Sequence, residues 1–557
     1  MFYSSQLSNR NYFYLLIAVF VTLVMGAVSW FLGGTPGTNG IDDAAITRSY
    51  SENIANGHGF VYNIGGEHVE GATSFLWTMV LVIPYLFDDN PEIIILSITA
   101  VFTVMSVFLG LRIAKRAAAN LHPLATVGLM ALSLAGLPAF FIWSVWSMME
   151  VALWSAFCML TLERLSFLTE EPERPATFDI WLFLAAIAMP LIRPEGGAII
   201  IGLGVLAVIV RPAIWRPVSI ALVAAVISFG GIILGRLAYF GFPFPNTYYA
   251  KVSADRLQNI VDGAKYLTSF VNGLPFADLL LLGWIALGVL SLIGLLTAPT
   301  PGQRTQILAS ATVLGVFAVY VMLGGDHFAL WRFYQPIMPI FALPLVLFAV
   351  WVGEMTYRRG YDRALLAMVS LTCGYWVIIH AIAYYQDRFR ISWEFELSHR
   401  GQVFGQYLNA FEPQPTMGVT AAGGVALTYD GELRDLMGLN WVEMAHANPI
   451  KVGFRNHASF DVATFWKHQP DILPLFHKPF CQRNGWTERT SINETGVKQL
   501  FSQPQFQATY APVIMEMAGG NCTNAFAANS WLEQIDSDLI TIKAWDELTL
   551  ITTAADS

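Results

Sequence analysis

The stretch Tyr12-Phe-Tyr-Leu-Leu-Ile-Ala-Val-Phe-Val-Thr-Leu-Val-Met-Gly-Ala-Val-Ser-Trp-Phe-Leu32, followed shortly by Gly40-Ile-Asp-Asp-Ala44, decides the fold of this chain. About 20 apolar residues suffice for a helix to cross the hydrocarbon core of a membrane. The run is long, no small-residue cleavage site precedes the acidic pair, and further apolar runs follow. It is therefore predicted to be a retained first span and not a signal peptide. Packing does not explain two adjacent acids just beyond a span, so Asp42 and Asp43 are the first candidates for chemistry.

The composition indicates that most of the chain lies in lipid. Hydrophobic residues make up 55% of the 557 residues and charged residues only 13%, whereas a soluble domain carries roughly 25% charge. The net charge of -9 argues against nucleic acid as a partner, because no basic stripe could neutralise phosphates. The apolar runs predict about eleven transmembrane helices. They cover residues 12–33, 92–113, 122–140, 147–168, 180–192, 195–210, 217–239, 278–297, 306–323, 333–353 and 364–384.

Basic residues between the spans predict the orientation. Arg112, Lys115 and Arg116, then Arg211 and Arg216, and finally Arg358, Arg359 and Arg363 all fall on one side, which the positive-inside rule assigns to the cytoplasm. This assignment requires that the short run 75–87 is interfacial or re-entrant, and that two short spans meet at Arg193-Pro194-Glu195-Gly196. The predicted topology is N-terminus in and C-terminus out.

Two domains are predicted. Residues 1–385 form the polytopic α-helical membrane domain, with a first external loop at 34–91, and residues 386–557 form a soluble external α/β domain. Stretches 418–429, 507–515 and 538–551 of the tail contain β-branched segments bounded by turn residues, which is typical of strands. Cys481 and Cys522 in this tail could pair if it faces an oxidising compartment.

The acidic pair suits proton transfer. One carboxylate, Asp42, could take a proton from a hydroxyl while Asp43 orients it. The alternative is an acidic turn, or an N-cap of the helix predicted from Ala44 to Ala55. In the Gly- and Asn-rich loop 53–77, His58, Glu70 and Ser74 are candidates for contact with an acceptor, or else hold the loop together.

Other polar residues are predicted on the same external face. Glu150, at the start of a span, has either a functional or a paired role, because an acid at membrane depth is costly. Arg193 either faces a lipid phosphate or pairs with Glu195 at the helix break. Arginine and lysine bind phosphate well, so Arg332 with His327 or Lys251 is the predicted phosphate clamp, near Asn246, Tyr249 and Asp326. No metal motif is present, although a divalent cation at the Asp pair stays open.

Several blocks resemble the GT-C superfamily of polytopic glycosyltransferases that use polyprenyl-phosphate sugars. The chain is most similar to bacterial cell-wall arabinofuranosyltransferases that add terminal β-1,2-linked arabinofuranose. The blocks are Asp42-Asp-Ala44 with Tyr50, Asn53 to Gly59, Val69 to Trp77, Arg193 to Gly196, Pro245 to Lys251, Gly324 to Phe328 with Arg332-Phe333, Ala421 to Gly423 and Leu436 to Asn440. Ser147-Met-Met-Glu150 departs from the pattern, since a glycine is expected two residues before the acid.

The resemblance implies a GT-C fold, the Asp pair as catalytic centre, and a decaprenyl- or undecaprenyl-phosphate arabinofuranose donor. It also implies a glycan or protein acceptor on the periplasmic side of a bacterial inner membrane. Two alternatives stay open from the residues: a transporter or flippase of lipid-linked sugar, and a GT-C enzyme with another sugar donor. Retention of configuration would require an Asp nucleophile or an ionised donor, and the residues do not choose between these.

Overall fold

The chain is a bundle of long helices that carries a small domain with a mixed β-sheet. The structure, a computed structural model, describes residues 2–88, 90–170, 177–252, 255–357, 362–447, 451–452, 458–474, 500, 503–517, 522–535, 538 and 540–545. The helices of the bundle are α1 (Phe2–Leu32), α2 (Asp42–Ala55), α3 (Phe75–Tyr85), α4 (Glu92–Ala117), α5 (Pro123–Leu134), α6 (Pro138–Phe141), α7 (Val151–Glu170), α8 (Ile180–Ile192), α9 (Gly196–Val210), α10 (Trp215–Tyr239), α11 (Asn246–Lys251), α12 (Arg256–Gly273), α13 (Ala277–Thr297), α14 (Gln303–Met322), α15 (Met338–Phe341), α16 (Leu343–Tyr357) and α17 (Asp362–Leu408).

The predicted polytopic fold class is confirmed. Each of the eleven predicted spans coincides with helical structure. Within the described residues, eight helices are long and apolar enough to cross a membrane, and α5 with the segment Pro138–Trp146 forms a ninth that is bent by 73°. The other two, α8 and α9, are shorter apolar helices that meet at Arg193-Pro194-Glu195, where Pro194 interrupts helical hydrogen bonding.

Two helices lie beside the spans at the end of the bundle that carries the sheet domain, which we call the site end. Helix α3 has only 11 residues, too few to cross a bilayer. This length agrees with the prediction that the run 75–87 is interfacial or re-entrant and not a span. Helix α12 was not predicted. It has 18 residues, and Asp255 caps it by accepting hydrogen bonds from the N–H groups of Leu257 and Gln258, as N-cap acids commonly do.

The last helix crosses the predicted domain boundary. Helix α17 runs for 47 residues without a break from Asp362 to Leu408, past residue 386. About 20 residues suffice to span a membrane, so its second half extends beyond the bundle and packs on the sheet domain. At Gly401, an added Cβ would lie 2.8 Å from the backbone nitrogen of Val425. Bundle and domain therefore share one continuous helix.

In its described residues, the C-terminal domain contains a six-stranded sheet of order β2-β1-β5-β7-β6-β8 and a two-stranded sheet, β3-β4. Pairs β1–β2 and β1–β5 are parallel and the others antiparallel. The strands are β1 (Met417–Val419), β2 (Leu433–Asp435), β3 (Lys451–Val452), β4 (Ala458–Ser459), β5 (Ile472–Pro474), β6 (Tyr510–Glu516), β7 (Cys522–Ala528) and β8 (Ile540–Ile542). Cys522 is disulfide-bonded, and Cys158 and Cys373 are free. Cys481, the predicted partner of Cys522, lies outside the described residues.

Candidate active site

Four segments distant in sequence meet at the site end. They are the first turn of α2, the last turn of α11, the loop between α14 and residue 333, and the Gly423-Gly424 turn of the C-terminal domain. Glycines permit the close approach of these segments: a Cβ at Gly423 would lie 1.8 Å from the backbone oxygen of Asp42. The convergence brings Asp42, Asp43, Lys251, Asp326, His327 and Arg332 together, as the sequence predicted.

Asp42 is held by the backbone of the C-terminal domain. Its Oδ1 accepts a hydrogen bond from the N–H of Gly424 at 2.8 Å, and its Oδ2 accepts one from Gly423 at 3.1 Å. Burial raises the pKa of Asp42 to about 6, although these two N–H groups pull it in the opposite direction. The carboxylate thus connects α2 to the domain over 381 residues of sequence. Ile41, not either Asp, occupies the N-cap position of α2.

Asp43 faces a group of cations. Its Oδ2 lies 3.7 Å from Nη1 of Arg332 and 4.0 Å from Nζ of Lys251, and its side chain is 23% exposed. Burial by itself would raise the pKa of Asp43, but the charges of Lys251, Arg332 and His327 outweigh that effect and lower it. Asp43 is therefore ionised at neutral pH. The cations lie near its carboxylate without closing into short hydrogen bonds.

The edge of the Arg332 guanidinium that faces away from Asp43 is held by Asp326. Its Nε and Nη2 donate to the two carboxylate oxygens of Asp326 at 2.8 and 3.1 Å, a bidentate pair that sets the plane of the guanidinium. The ring of Phe328 lies 4.2 Å from its Cζ. The preceding residues Leu330 and Trp331 have positive φ of 58° and 51°, a costly conformation for residues with side chains. This strained turn directs Arg332 towards Asp43.

Arg193 belongs to a separate ion network. It pairs with Glu150 and, through Nε at 2.6 Å, with Glu195. Glu195 also accepts a hydrogen bond from the hydroxyl of Tyr320 at 2.8 Å. Two carboxylates neutralise this guanidinium, so the network favours the paired alternative for Glu150 and leaves Arg193 little charge for a phosphate. The ring centroid of Phe333 lies 4.6 Å from Cζ of Arg193 and 5.0 Å from Cζ of Arg332, so the ring contacts both guanidinium groups.

The loop candidates mostly hold the fold together. Glu70 forms a buried bidentate pair with Arg236 at 2.6 and 2.8 Å. Asn246 donates to the carbonyls of Gly438 and Leu439 at 2.8 and 3.0 Å. Tyr249 packs its ring 4.2 Å from that of His446, and Ser74 is buried at the start of α3. His58 is exposed at a turn, and the structure does not bring it to the Asp pair.

Two features of the site were not predicted. In the sequence, this turn appeared only as Gly423 at the end of the block Ala421 to Gly423, and the clamp on Asp42 by Gly423-Gly424 has no local signal. Glu394 was missed entirely. It lies on the inward face of α17, one turn before Ser398, whose backbone oxygen would lie 2.0 Å from a Cβ at Gly424. Among charged groups, Asp43 and Asp42 act on Glu394 most strongly, followed by Arg332. No sequence signal marked it, because the surrounding stretch Gln386 to Arg400 contains several other charged residues.

The residues present do not form a metal centre. No group of three or more His, Cys, Asp or Glu side chains in the described part of the chain is arranged to hold a metal ion. Both oxygens of Asp42 accept backbone hydrogen bonds, and Asp43 is flanked by positive charges that would repel a divalent cation. The Asp pair therefore does not fit the divalent ion that the sequence left open.

No family model matches the sequence, and no curated protein matches it. Among solved structures, the chain aligns with ArnT from Cupriavidus metallidurans bound to undecaprenyl phosphate. The TM-score is 0.53 and the identity 13%, over 93% of this chain and 98% of ArnT. The chain has the GT-C membrane fold. In this chain the fold combines the multi-pass bundle with a small C-terminal sheet.

Two further solved structures are similar at a lower TM-score of 0.47. One is the oligosaccharyltransferase of Archaeoglobus fulgidus with zinc and sulfate, at 11% identity over 94% of this chain and 74% of that one. The other is AglB from the same archaeon with an inhibitory peptide and a dolichol-phosphate, at 11% identity over 96% of this chain and 77% of that one.

Proposed function

We propose that this protein is a membrane glycosyltransferase that transfers a sugar, D-arabinofuranose, from a polyprenyl-phosphate donor to a glycan or protein acceptor outside the cytoplasm. The observation that carries the proposal is the position of Asp43: an ionised carboxylate 3.7 and 4.0 Å from two cations, at the site end of a membrane bundle. This arrangement offers a proton acceptor beside a phosphate site. ArnT, which shares the fold, was solved with undecaprenyl phosphate.

The donor phosphate binds where Lys251, His327 and Arg332 meet. Lys251 is 27% exposed and His327 21%, so both can turn towards a ligand, while Asp326 keeps the Arg332 guanidinium in one plane. These cations oppose the charge that develops on the departing phosphate, which is the usual target of electrostatic catalysis. Arg193 supports the site through the ring of Phe333 and is not in the proposed phosphate contact.

Transfer then requires one base and one leaving group. The acceptor hydroxyl attacks the anomeric carbon of the sugar, and its proton passes to Asp43. The bond between that carbon and the phosphate oxygen breaks, and polyprenyl phosphate departs with the electron pair. Asp42 anchors the first turn of α2 to the C-terminal domain. These roles differ from the sequence-based assignment, in which Asp42 took the proton and Asp43 oriented the acceptor hydroxyl or the sugar.

Glu394 contacts the donor sugar in this proposal. The sugar is covalently attached to the phosphate, so side chains close to both Arg332 and Asp43 face it. Within the described residues, Glu394 makes no hydrogen bond or ion pair, and a carboxyl group can both accept from and, when protonated, donate to sugar hydroxyls.

The test uses purified protein, undecaprenyl-phosphate arabinofuranose and a panel of glycan acceptors. Asp43→Asn is expected to lower kcat by ~10² to 10⁴-fold, the usual contribution of a general base, without a matching change in affinity for undecaprenyl phosphate. Lys251→Gln is expected to raise KM for the donor, whereas Lys265→Gln, an exposed lysine paired with Asp262, should leave it unchanged. Full activity of Asp43→Asn would refute the proposal.

The transporter alternative predicts a different result in the same preparation. A flippase would move the sugar lipid between leaflets of a vesicle and leave the sugar on its carrier. Ionisable groups that serve transport are expected along the middle of the spans, whereas the charged groups described above cluster at one end of the bundle.

A further inference from the structure

Helix α12 has three distinct faces. Asn259, Gly263, Tyr266 and Phe270, spaced three or four residues apart, are buried against the bundle. The exposed part is divided in two. Leu257, Ile260 and Val261 form an apolar strip, with Leu257 76% exposed. Beside it, Gln258, Asp262 and Lys265 form a polar strip joined by hydrogen bonds of 3.0 and 3.2 Å.

Helix α12 supports the loop that carries two cations of the candidate site, His327 and Arg332. The indole N–H of Trp331 donates to Ser269 Oγ at 3.0 Å, and the N–H of Phe333 donates to the hydroxyl of Tyr266 at 3.3 Å. A Cβ at Gly325 would lie 2.5 Å from Cβ of Tyr266. Residues on both sides of Asp326, His327 and Arg332 therefore rest on α12.

The contacts of α12 also show how it lies relative to the ends of the membrane spans. An added Cβ at Gly263 would lie 2.1 Å from the backbone oxygen of Val321, and Gly324 adjoins Asn259, so the first half of α12 lies level with the end of span α14. Met322 and Leu323 at that end are exposed and apolar. Span α13 begins at Ala277, only four residues after α12 ends, and its Leu279 is also exposed.

From this continuity we infer that the strip Leu257, Ile260 and Val261 is seated in the lipid leaflet at the site end, and that this contact holds the 324–333 loop in place. The strip continues the lipid-facing surface of α13 and α14. The polar strip faces the headgroups and water, as in helices that lie in a membrane interface. The partner of the apolar strip is the bilayer lipid itself. The inference that the strip lies in lipid does not depend on the proposed transfer reaction.

The position of the strip in the lipid leaflet is tested with spin labels in nanodiscs of phosphatidylglycerol and phosphatidylethanolamine. The labels are placed at Ile260→Cys and, as the matched control one strip away, at Gln258→Cys, in a chain with Cys158→Ser and Cys373→Ser. The label at 260 is expected to collide more with dissolved oxygen than with a water-soluble nickel chelate, and the label at 258 the reverse. Equal, water-like accessibility at both positions overturns the inference.

The effect on the loop is tested with Leu257→Asp/Ile260→Asp. Removing two apolar anchors from the interface is expected to lower sugar transfer in nanodiscs by ~10-fold, with Gln258→Asp as the control that stays near wild type. A double variant that remains folded by thermal unfolding and retains full transfer overturns the coupling to the loop. The spin-label result stands or falls without any transfer assay, so failure of the proposed function is distinguishable from failure of this inference.

Discussion

Asp42 and Asp43 are neighbours in the chain but differ in their surroundings. Asp42 is nearly fully buried and accepts two backbone N–H groups, whereas Asp43 is partly exposed beside two cations. Adjacent residues at the start of a helix point about 100° apart, so one can anchor the helix while the other faces the substrate. This difference divides the roles of the pair better than the sequence could.

The anchoring role of Asp42 predicts a pH dependence of transfer. Burial raises its pKa to about 6, so below that pH the carboxylate takes up a proton and binds the Gly423 and Gly424 N–H groups less well. We expect kcat/KM to fall on the acid side with an apparent pKa of about 6. The change is measured as a pH–rate profile in wild type and Asp42→Asn.

The control for this profile is Asp435→Asn, because the pKa of buried Asp435 is also raised to about 6. An acid limb of the pH–rate profile that is unchanged in Asp42→Asn would contradict the assignment.

The pH dependence of stability has the opposite sign to that of activity. A raised pKa means that the folded state binds the proton more tightly, so the contribution of Asp42 to the free energy of unfolding falls as pH rises from 3.8 to about 6.

Glu394 gives a second prediction about single side chains. If it binds a hydroxyl of the donor sugar, Glu394→Ala should lower kcat/KM by ~10-fold, while Glu394→Gln, which keeps two hydrogen-bonding atoms, should lose less. Glu396→Gln is the matched control, since Glu396 is on the same helix, 42% exposed, and pairs with Arg400. Steady-state kinetics with varied donor distinguish the three variants. Equal activity of wild type and Glu394→Ala would exclude the contact.

At the Gly423-Gly424 turn, the backbone of the C-terminal domain approaches α2 too closely to admit a side chain. An alanine Cβ at Gly423 would lie 1.8 Å from the Asp42 oxygen and 2.6 Å from its carbonyl carbon, and backbone atoms cannot yield as a flexible side chain can. Gly423→Ala is expected to lower the free energy of unfolding by ~1 to 3 kcal/mol. It should also lower kcat/KM by more than the loss of folded protein accounts for. Both quantities are measured on the detergent-solubilised protein.

The control for the turn is Gly37→Ala, at the same end of the bundle, where an added Cβ has no atom within 4 Å. This variant should unfold and react like wild type. If Gly423→Ala does the same, the clamp does not position Asp42.

The elements show which parts of the fold could be read from the sequence. Apolar runs predicted the spans because a bilayer demands about 20 such residues of each helix. Helix α12 was missed because its apolar residues are divided between a buried face and an exposed strip, which leaves no continuous run. The uninterrupted course of α17 past residue 386 was also missed, because composition changes there while the helical hydrogen bonding does not.

For the molecule as a whole, the candidate site depends on contacts between distant segments. The cations and the Asp pair were predicted from the rarity of charges beside membrane spans, and the structure brings Asp42, Asp43, Lys251, Asp326, His327 and Arg332 together. The pairing of Arg193 with Glu195 was one of two predicted alternatives, whereas the clamp by Gly423-Gly424, the pairing of Arg193 with Glu150 and the position of Glu394 could not be predicted. Each follows from packing across some 40 to 380 residues, for which a single sequence has no local pattern.

The orientation of the whole chain yields the last prediction. All charged groups of the candidate site lie at one end of the bundle, together with the disulfide-bonded Cys522, and disulfides persist in oxidising compartments. We therefore expect this end to face the periplasm, with N-terminus in and C-terminus out. In intact cells, a membrane-impermeant thiol reagent should label His58→Cys at the site end and should not label Asn120→Cys at the opposite end until the cells are opened. Both positions are exposed, so accessibility alone does not separate them. The reverse pattern would place the site in the cytoplasm and exclude an acceptor on the outer face.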